Sequence, residues 1–253
     1  GNEFLLGKGA PYELVMYSRK SNTHLWKTEV VSATAQSTSA DANLTVVAAY
    51  TEDISSNYYL SLFNGTTGSE IWKNNLSTYD SIGSMVMSAS GNRILMAFNN
   101  DSQFSLSAFS TTTGEIQWTF NTTGFIVPTI SENGNLVVMR NSSYIKLHVI
   151  NGTTGERIKD IEVSEPYLTR PVICPDNEHF VLSKYQSSNT NGYLAKYSSK
   201  IEQVEPLWEI DTGYGFAEFD ISKVGLIVAK EYWGGIFLID SINGKILMNS
   251  TNA

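Results

Sequence analysis

Apolar residues recur along this chain in short runs. "YYLSLF" (58–63), "FSLSAF" (104–109), "IKLHVI" (145–150), "GYLAKY" (192–197) and "GIFLID" (235–240) each have the length and residue types of a β-strand. A short polar turn and a second run follow, as in "SEIWKNNL" (69–76) and "EIQWTF" (115–120). Two such runs around a Gly-containing turn predict a hairpin. A third strand precedes them behind its own turn: "SGNRILMAF" (90–98), "NGNLVVMR" (133–140), "DNEHFVLSKY" (176–185) and "VGLIVAKEY" (224–232). A fourth lies further back, in "DSIGSMVMSAS" (80–90), "GFIVPTISE" (124–132) and "LTRPVICPD" (168–176). No long apolar pattern of period 3.6 appears, so the chain is expected to be all-β.

The four-strand unit repeats. "NGTTGSEIW" (64–72), "STTTGEIQW" (110–118) and "NGTTGERIK" (151–159) are versions of one phrase. A column four residues beyond the turn Gly holds Trp72, Trp118, Lys159 and Met248, and Asn22 takes the Gly place before Trp26. Asn is the best substitute for Gly in a left-handed turn. A sixth copy, "KYSSKIEQVEPLWEID", keeps Trp208 behind a longer, Gly-free connection. The column 26, 72, 118, 159, 208, 248 has steps of 46, 46, 41, 49 and 40. That period suits a propeller blade and disfavours a sandwich or a solenoid. The expectation is one β-propeller domain over 1–253, with six blades of four antiparallel strands. About half of the first blade's strands precede Trp26, and its innermost strand has no source. Either that blade is three-stranded or the chain is a piece of a larger propeller.

The phrase "TTGEIQW", with the apolar run before it, resembles the docking motif of the quinoprotein-type, or PQQ-like, propeller repeats. Thr113, Gly114, Glu115 and Trp118 match best, then Thr67, Gly68, Ser69 and Trp72. The resemblance spans most of the chain in degenerate form. It implies that Trp26, Trp72, Trp118 and Trp208 pack between neighbouring blades. Enzymes of that superfamily use eight blades, calcium-binding acidic residues, a catalytic Asp and often adjacent cysteines. Six blades and one Cys point instead to a non-catalytic member without a cofactor.

The net charge of −8 disfavours nucleic acid, which requires a basic footprint. No apolar run approaches the ~18 residues of a membrane-spanning helix. Eight N-x-S/T acceptors occur, at Asn43, Asn64, Asn75, Asn100, Asn121, Asn141, Asn151 and Asn249. Composition alone would give about four, which favours an extracellular, cell-surface or secretory-lumen protein.

Chemistry-bearing residues are sparse. His24, His148 and His179 are far apart in sequence and form no zinc spacing. Cys174, in "RPVICPDN", reads as a small buried residue. The densest acidic stretch, "EIDTGYGFAEFDIS", holds Glu209, Asp211, Glu218 and Asp220. Glu218 and Asp220 are two apart and share one face of a strand; on an innermost strand both would approach the channel. No metal or catalytic residue is assigned. In "KEYWGGIF", Gly234-Gly235 predicts a two-residue hairpin turn with Tyr232 and Trp233 on its shoulder as contact candidates. "TEDISSNYY", from Thr51, is a further candidate contact loop.

The expected function is a non-enzymatic interaction or scaffold module of a secreted or surface protein, with a protein partner or self-assembly. Two alternatives stand beside it: a carbohydrate-active or degenerate quinoprotein-type enzyme, and an intracellular assembly scaffold.

Overall fold

The computed structural model describes residues 3–8, 12–18, 21, 23–30, 33–50, 58–76, 79–100, 103–124, 126–141, 146–163, 167–185, 192–200, 202, 204–213, 216–231 and 234–250. Among these are twenty-four strands, arranged in six antiparallel sheets. The first sheet is β1 (Glu3–Lys8), β2 (Tyr12–Ser18) and β3 (Thr23–Val30). The second is β4 (Ala33–Thr38), β5 (Leu44–Tyr50), β6 (Tyr58–Asn64) and β7 (Glu70–Asn75). The third is β8 (Ser81–Met87), β9 (Arg93–Asn100), β10 (Gln103–Ser110) and β11 (Ile116–Thr122). The fourth is β12 (Ile126–Ile130), β13 (Leu136–Asn141), β14 (Lys146–Asn151) and β15 (Arg157–Glu162). The fifth begins with two short pieces, β16 (Tyr167–Leu168) and β17 (Val172–Ile173). It continues as β18 (His179–Tyr185), β19 (Gly192–Ser198) and β20 (Trp208–Asp211). The sixth is β21 (Phe216–Ile221), β22 (Leu226–Glu231), β23 (Ile236–Asp240) and β24 (Ile246–Ser250). Each sheet is a meander in chain order, the blade pattern of a β-propeller.

The first blade is three-stranded in this structure. The sequence suggests a single domain over 1–253, whereas contacts part the chain into two compact units, Gly1–Ile126 and Val127–Ala253. The first unit holds blades one to three and the second blades four to six. The hairpin expected at Gly234-Gly235 is longer than two residues: β22 ends at Glu231 and β23 starts at Ile236, so residues 232–235 connect them. Tyr232 and Trp233 lie outside the described residues, as do residues 51–57 of the Thr51 loop.

The continuous apolar runs follow from burial on both faces of a middle strand. On β5, Val46 and Ala48 pack with Ile94 and Met96 of the third blade. Their neighbours Val47 and Ala49 point the other way, to Leu14 and Met16 of the first blade. In the second unit, Val138 and Val149 pack against Phe180 and Leu182, and Val181 and Leu194 against Ile227 and Ile239. Outer strands show the alternation expected of an edge, as in β7 and β15.

The turn phrase divides into separate structural tasks. Asn64 Oδ1 accepts hydrogen bonds from the Thr66 and Thr67 amides at 2.9 and 3.0 Å, an Asx turn. Gly65 comes so close to the turn before β5 that a Cβ would lie 1.7 Å from the Ala42 carbonyl oxygen. Gly152 has the same place in the fourth blade, 2.2 Å from the Gly134 oxygen. Gly68 has φ +72° and lies against the Trp26 ring, which a Cβ would meet at 2.7 Å.

The Trp column is a set of hydrogen-bond donors aimed at the next blade's turn. Trp26 Nε1 donates to Gly65 O at 2.5 Å, Trp72 Nε1 to Thr111 O at 2.8 Å and Trp208 Nε1 to Ser241 O at 3.1 Å. Lys159, where the indole is lost, sends Nζ to Lys200 O at 2.7 Å. At Lys159 the column thus keeps its donor where it loses its ring, whereas Met248 has neither. Trp118 is buried on β11.

Candidate functional site

The fifth blade opens with an interrupted strand. Thr169 folds back on Ser183: its amide donates to the Ser183 carbonyl at 2.9 Å, and its Oγ1 accepts from the Ser183 amide at 3.0 Å. Pro171 follows and has no N–H to give to a ladder. Pairing with β18 resumes at Val172, opposite Val181. Arg170 and Pro171 thus sit in a gap where the other four-stranded blades have a continuous first strand.

That gap opens into a cavity of about 680 Å³ in the second unit. Thr129 of β12 lines it, with residues 169–172, residues 217–220 of β21, and Val228 and Lys230 of β22. Glu218 and Asp220, which share one strand face by their spacing, lie on β21, a first strand, and both line this cavity. Phe219 and Ile221, on the opposite face, pack on the core between blades five and six. Register places Lys230 opposite Glu218 and Val228 opposite Asp220. Arg170 completes a set of two cations and two carboxylates. Among the described residues none of the four forms an ion pair; Asp220 Oδ1 accepts the Ile221 amide at 2.8 Å.

The rest of the acidic stretch goes elsewhere. Glu209 and Asp211 lie on β20, and Glu209 pairs with Lys184 Nζ at 2.6 Å. That pair lines a second cavity, of about 720 Å³, with Asp160, Glu162 and Glu205. Asp160 is the hub of a cross-strand network. Its Oδ1 meets His148 Nδ1 at 2.7 Å, and its Oδ2 meets Arg157 at 3.2 Å and Lys146 at 3.5 Å. Burial alone would raise the Asp160 carboxyl; His148, Arg157 and Lys146 outweigh it and hold the group below its ordinary range. His148 faces Asp160 across the β14–β15 ladder, twelve residues away in sequence, which no local motif announces. His179 is likewise held by Asp176, at 2.9 Å. His24 is on β3 and exposed. Burial pushes the Cys174 thiol up to about 12, which leaves almost no thiolate at neutral pH.

The glycan acceptors differ in exposure. Asn43, Asn75, Asn121 and Asn249 are exposed, and Asn64 and Asn151 are half-buried. Asn64 and Asn151 use Oδ1 in their turns, and N-glycans attach at the other amide atom, Nδ2. Asn141 is buried at 3% exposure, so a glycan there would require its side chain to leave the sheet. The Asn100 side chain lies outside the described residues.

A third feature is an apolar row on the sixth blade. In each blade one row crosses the third and fourth strands at the column residue. It reads Met16–Trp26, Val46–Leu62–Trp72, Leu95–Ala108–Trp118, Val138–Val149–Lys159 and Val181–Lys196–Trp208 in the first five. In these rows Trp72 and Trp208 are half-buried and every other residue is buried. In the sixth blade it reads Val228–Leu238–Met248, and Val228 and Met248 are each 52% exposed. Ile236, Ile246 and Leu247 are exposed around it.

Residues 12–250 match the family model described as outer membrane protein assembly factor BamB, a model of PQQ-type repeats. The chain belongs to this family. No curated protein sequence matches it. Among solved structures it is similar to BamB from Moraxella catarrhalis, with 11% identity and a TM-score of 0.63 over 98% of this chain and 75% of that one. It is also similar to "KlHsv2 with loop 6CD replaced by a Gly-Ser linker", with 10% identity and a TM-score of 0.73 over 100% of this chain and 78% of that one. At such identities the likeness is one of fold.

Proposed function

We propose that this chain is a non-enzymatic interaction module that works by holding a protein partner. The observation that carries the reading is the match of residues 12–250 to a family described as an assembly factor, which agrees with a module that works by contact. The last strand of the sixth blade presents exposed apolar side chains, Ile246, Leu247 and Met248, where such a contact can be tested.

A photo-crosslinking amino acid at position 248 is expected to capture a protein partner in the native host. The same group at the exposed turn residue Thr112 is expected to capture none. Equal yields from the two positions, or no product from 248, would sink the reading.

The module works outside the cytoplasm, on a secreted or surface protein. Eight acceptor sequences support this, four of them with exposed Asn side chains and two more with Nδ2 left out of the turn. Peptide N-glycosidase treatment of the native protein should increase its gel mobility, by less in an Asn64→Gln, Asn151→Gln variant. An unchanged mobility would count against this placement.

A further inference from the structure

We propose that the cavity behind Arg170 binds an extended polypeptide segment carrying both a basic and an acidic side chain. The proposal rests on the interaction-module reading and uses a cavity that shares Val228 with the apolar row of the sixth blade. Four properties of the cavity select this ligand.

The first is charge. Arg170 and Lys230 face Glu218 and Asp220 around one space, and none of the four is in an ion pair among the described residues. An anion would meet two carboxylates and a cation two basic groups. A ligand of mixed sign meets complementary charge at both ends.

The second is spacing. Glu218 and Asp220 are two residues apart on a strand, a separation of about 6.6 Å along its axis. Successive same-face side chains of an extended segment have that repeat, so a segment lying along β21 would set its side chains opposite them.

The third is the backbone. β21 pairs only with β22, and its other edge has no strand partner among the described residues. β16 and β17 likewise pair only with β18. The first strands of blades five and six therefore each have one edge without a strand ladder, of the kind that accepts an added strand, although the Phe216 and Ile221 amides already donate to Ser183 Oγ and Asp220 Oδ1. Pro171 keeps the fifth blade's own strand from filling the gap.

The fourth is the apolar lining. Pro171, Val172, Ala217 and Val228 offer small hydrophobic contacts for the alternate side chains. A sugar would need an aromatic platform; the one aromatic residue in the lining, Phe219, packs against the core between blades five and six. About 680 Å³ falls within the range of formed ligand cavities.

Fluorescence anisotropy with three labelled octapeptides tests this. One alternates Val and Thr with both Lys and Glu, one with Lys only and one with Glu only. The mixed peptide should bind saturably and at least fivefold more tightly than either single-sign peptide. Its affinity should fall at least tenfold in the Glu218→Gln, Asp220→Asn double variant and at least fivefold in Arg170→Gln. These side chains are exposed, so the unfolding midpoint should stay unchanged in both variants, and a fall in affinity then reports the site itself. No saturable binding, equal binding of all three peptides, or indifference to the substitutions overturns the proposal. The crosslinking and peptide experiments fail separately. A partner captured from position 248 without peptide binding removes the peptide site and keeps the module; peptide binding without capture does the reverse.

Discussion

Replacing Gly65 with Ala is expected to lower folding stability by about 3 kcal/mol, the upper end for a group forced into packed space. The new methyl would lie 1.7 Å from the Ala42 carbonyl oxygen, 2.7 Å from its carbon and 3.0 Å from the Asn43 carbon. All three are backbone atoms, so no side chain can rotate away. The Gly65 amide donates to the Asn43 carbonyl at 2.7 Å, which holds the two turns together. Relief would require breaking that bond and separating the hairpin from the turn that precedes β5. For a chain of this size the loss corresponds to a fall of about 9 °C in unfolding midpoint by calorimetry or circular dichroism. Thr66→Ala, one residue along and exposed, is the control and should change the midpoint by less than about 2 °C. Equal effects of the two substitutions would mean that the close approach carries no energetic weight.

Replacing Trp26 with Ala is expected to cost more, about 4 kcal/mol. The ring is nearly buried, packs in a core with Leu14, Met16, Val47 and Phe63, and lies flat on Gly68 of the next blade. Its Nε1 also satisfies the Gly65 carbonyl. Trp26→Phe separates the two roles. It keeps most of the apolar volume and loses the donor, so it should cost about 1.5 kcal/mol. Because Trp26 and Gly65 touch, their substitutions should not add: a double-mutant cycle is expected to show coupling of at least about 0.5 kcal/mol. If Trp26→Ala destabilises no more than Trp26→Phe, the ring's packing between the first two blades is not what holds it.

Much of the fold was legible in the chain because its information is local. A strand buried on both faces is an apolar run, so "LTVVAAY" reads as β5 without knowledge of its neighbours. A turn that needs a left-handed residue shows as Gly68, Gly114 or Gly155 at a fixed offset from the column. The shortfall of strands ahead of Trp26 was readable, as a three-stranded blade or a piece of a larger propeller, and the described residues form three strands there. Spacing put Glu218 and Asp220 on one face of a strand, and the structure made that strand the first of its blade.

What was missed has a common cause. Gly65 and Gly152 looked like ordinary turn residues, yet each is needed because another turn's backbone lies against it. The signal was present: the two NGTTG copies share an Asn-Gly pair that STTTG lacks. Lys159 looked like a lost Trp, but its ammonium keeps the column's bond to the next blade's turn. Arg170 and Lys230 were not associated with the acidic pair, because one stands in a gap of the fifth blade and the other is set by the β21–β22 register. His148 and Asp160 meet only because the β14–β15 register aligns them.

The sequence by itself therefore determined the repeat, the strand pattern and the positions of the turns, since a period-two strand and a left-handed turn depend on residues a few positions apart. Tertiary structure alone decided which carbonyl each column residue reaches, some 39 to 41 positions on for Trp26, Trp72 and Lys159, and which charges share a cavity. It also decided how far each row residue is buried, from none of Val46 or Val138 exposed to half of Val228 and Met248. Val228 and Met248 are as apolar as the residues above Val46 or Val138. Whether such a row is core or docking surface depends on what packs against it, and a strand's own residues do not encode its neighbour across the sheet face.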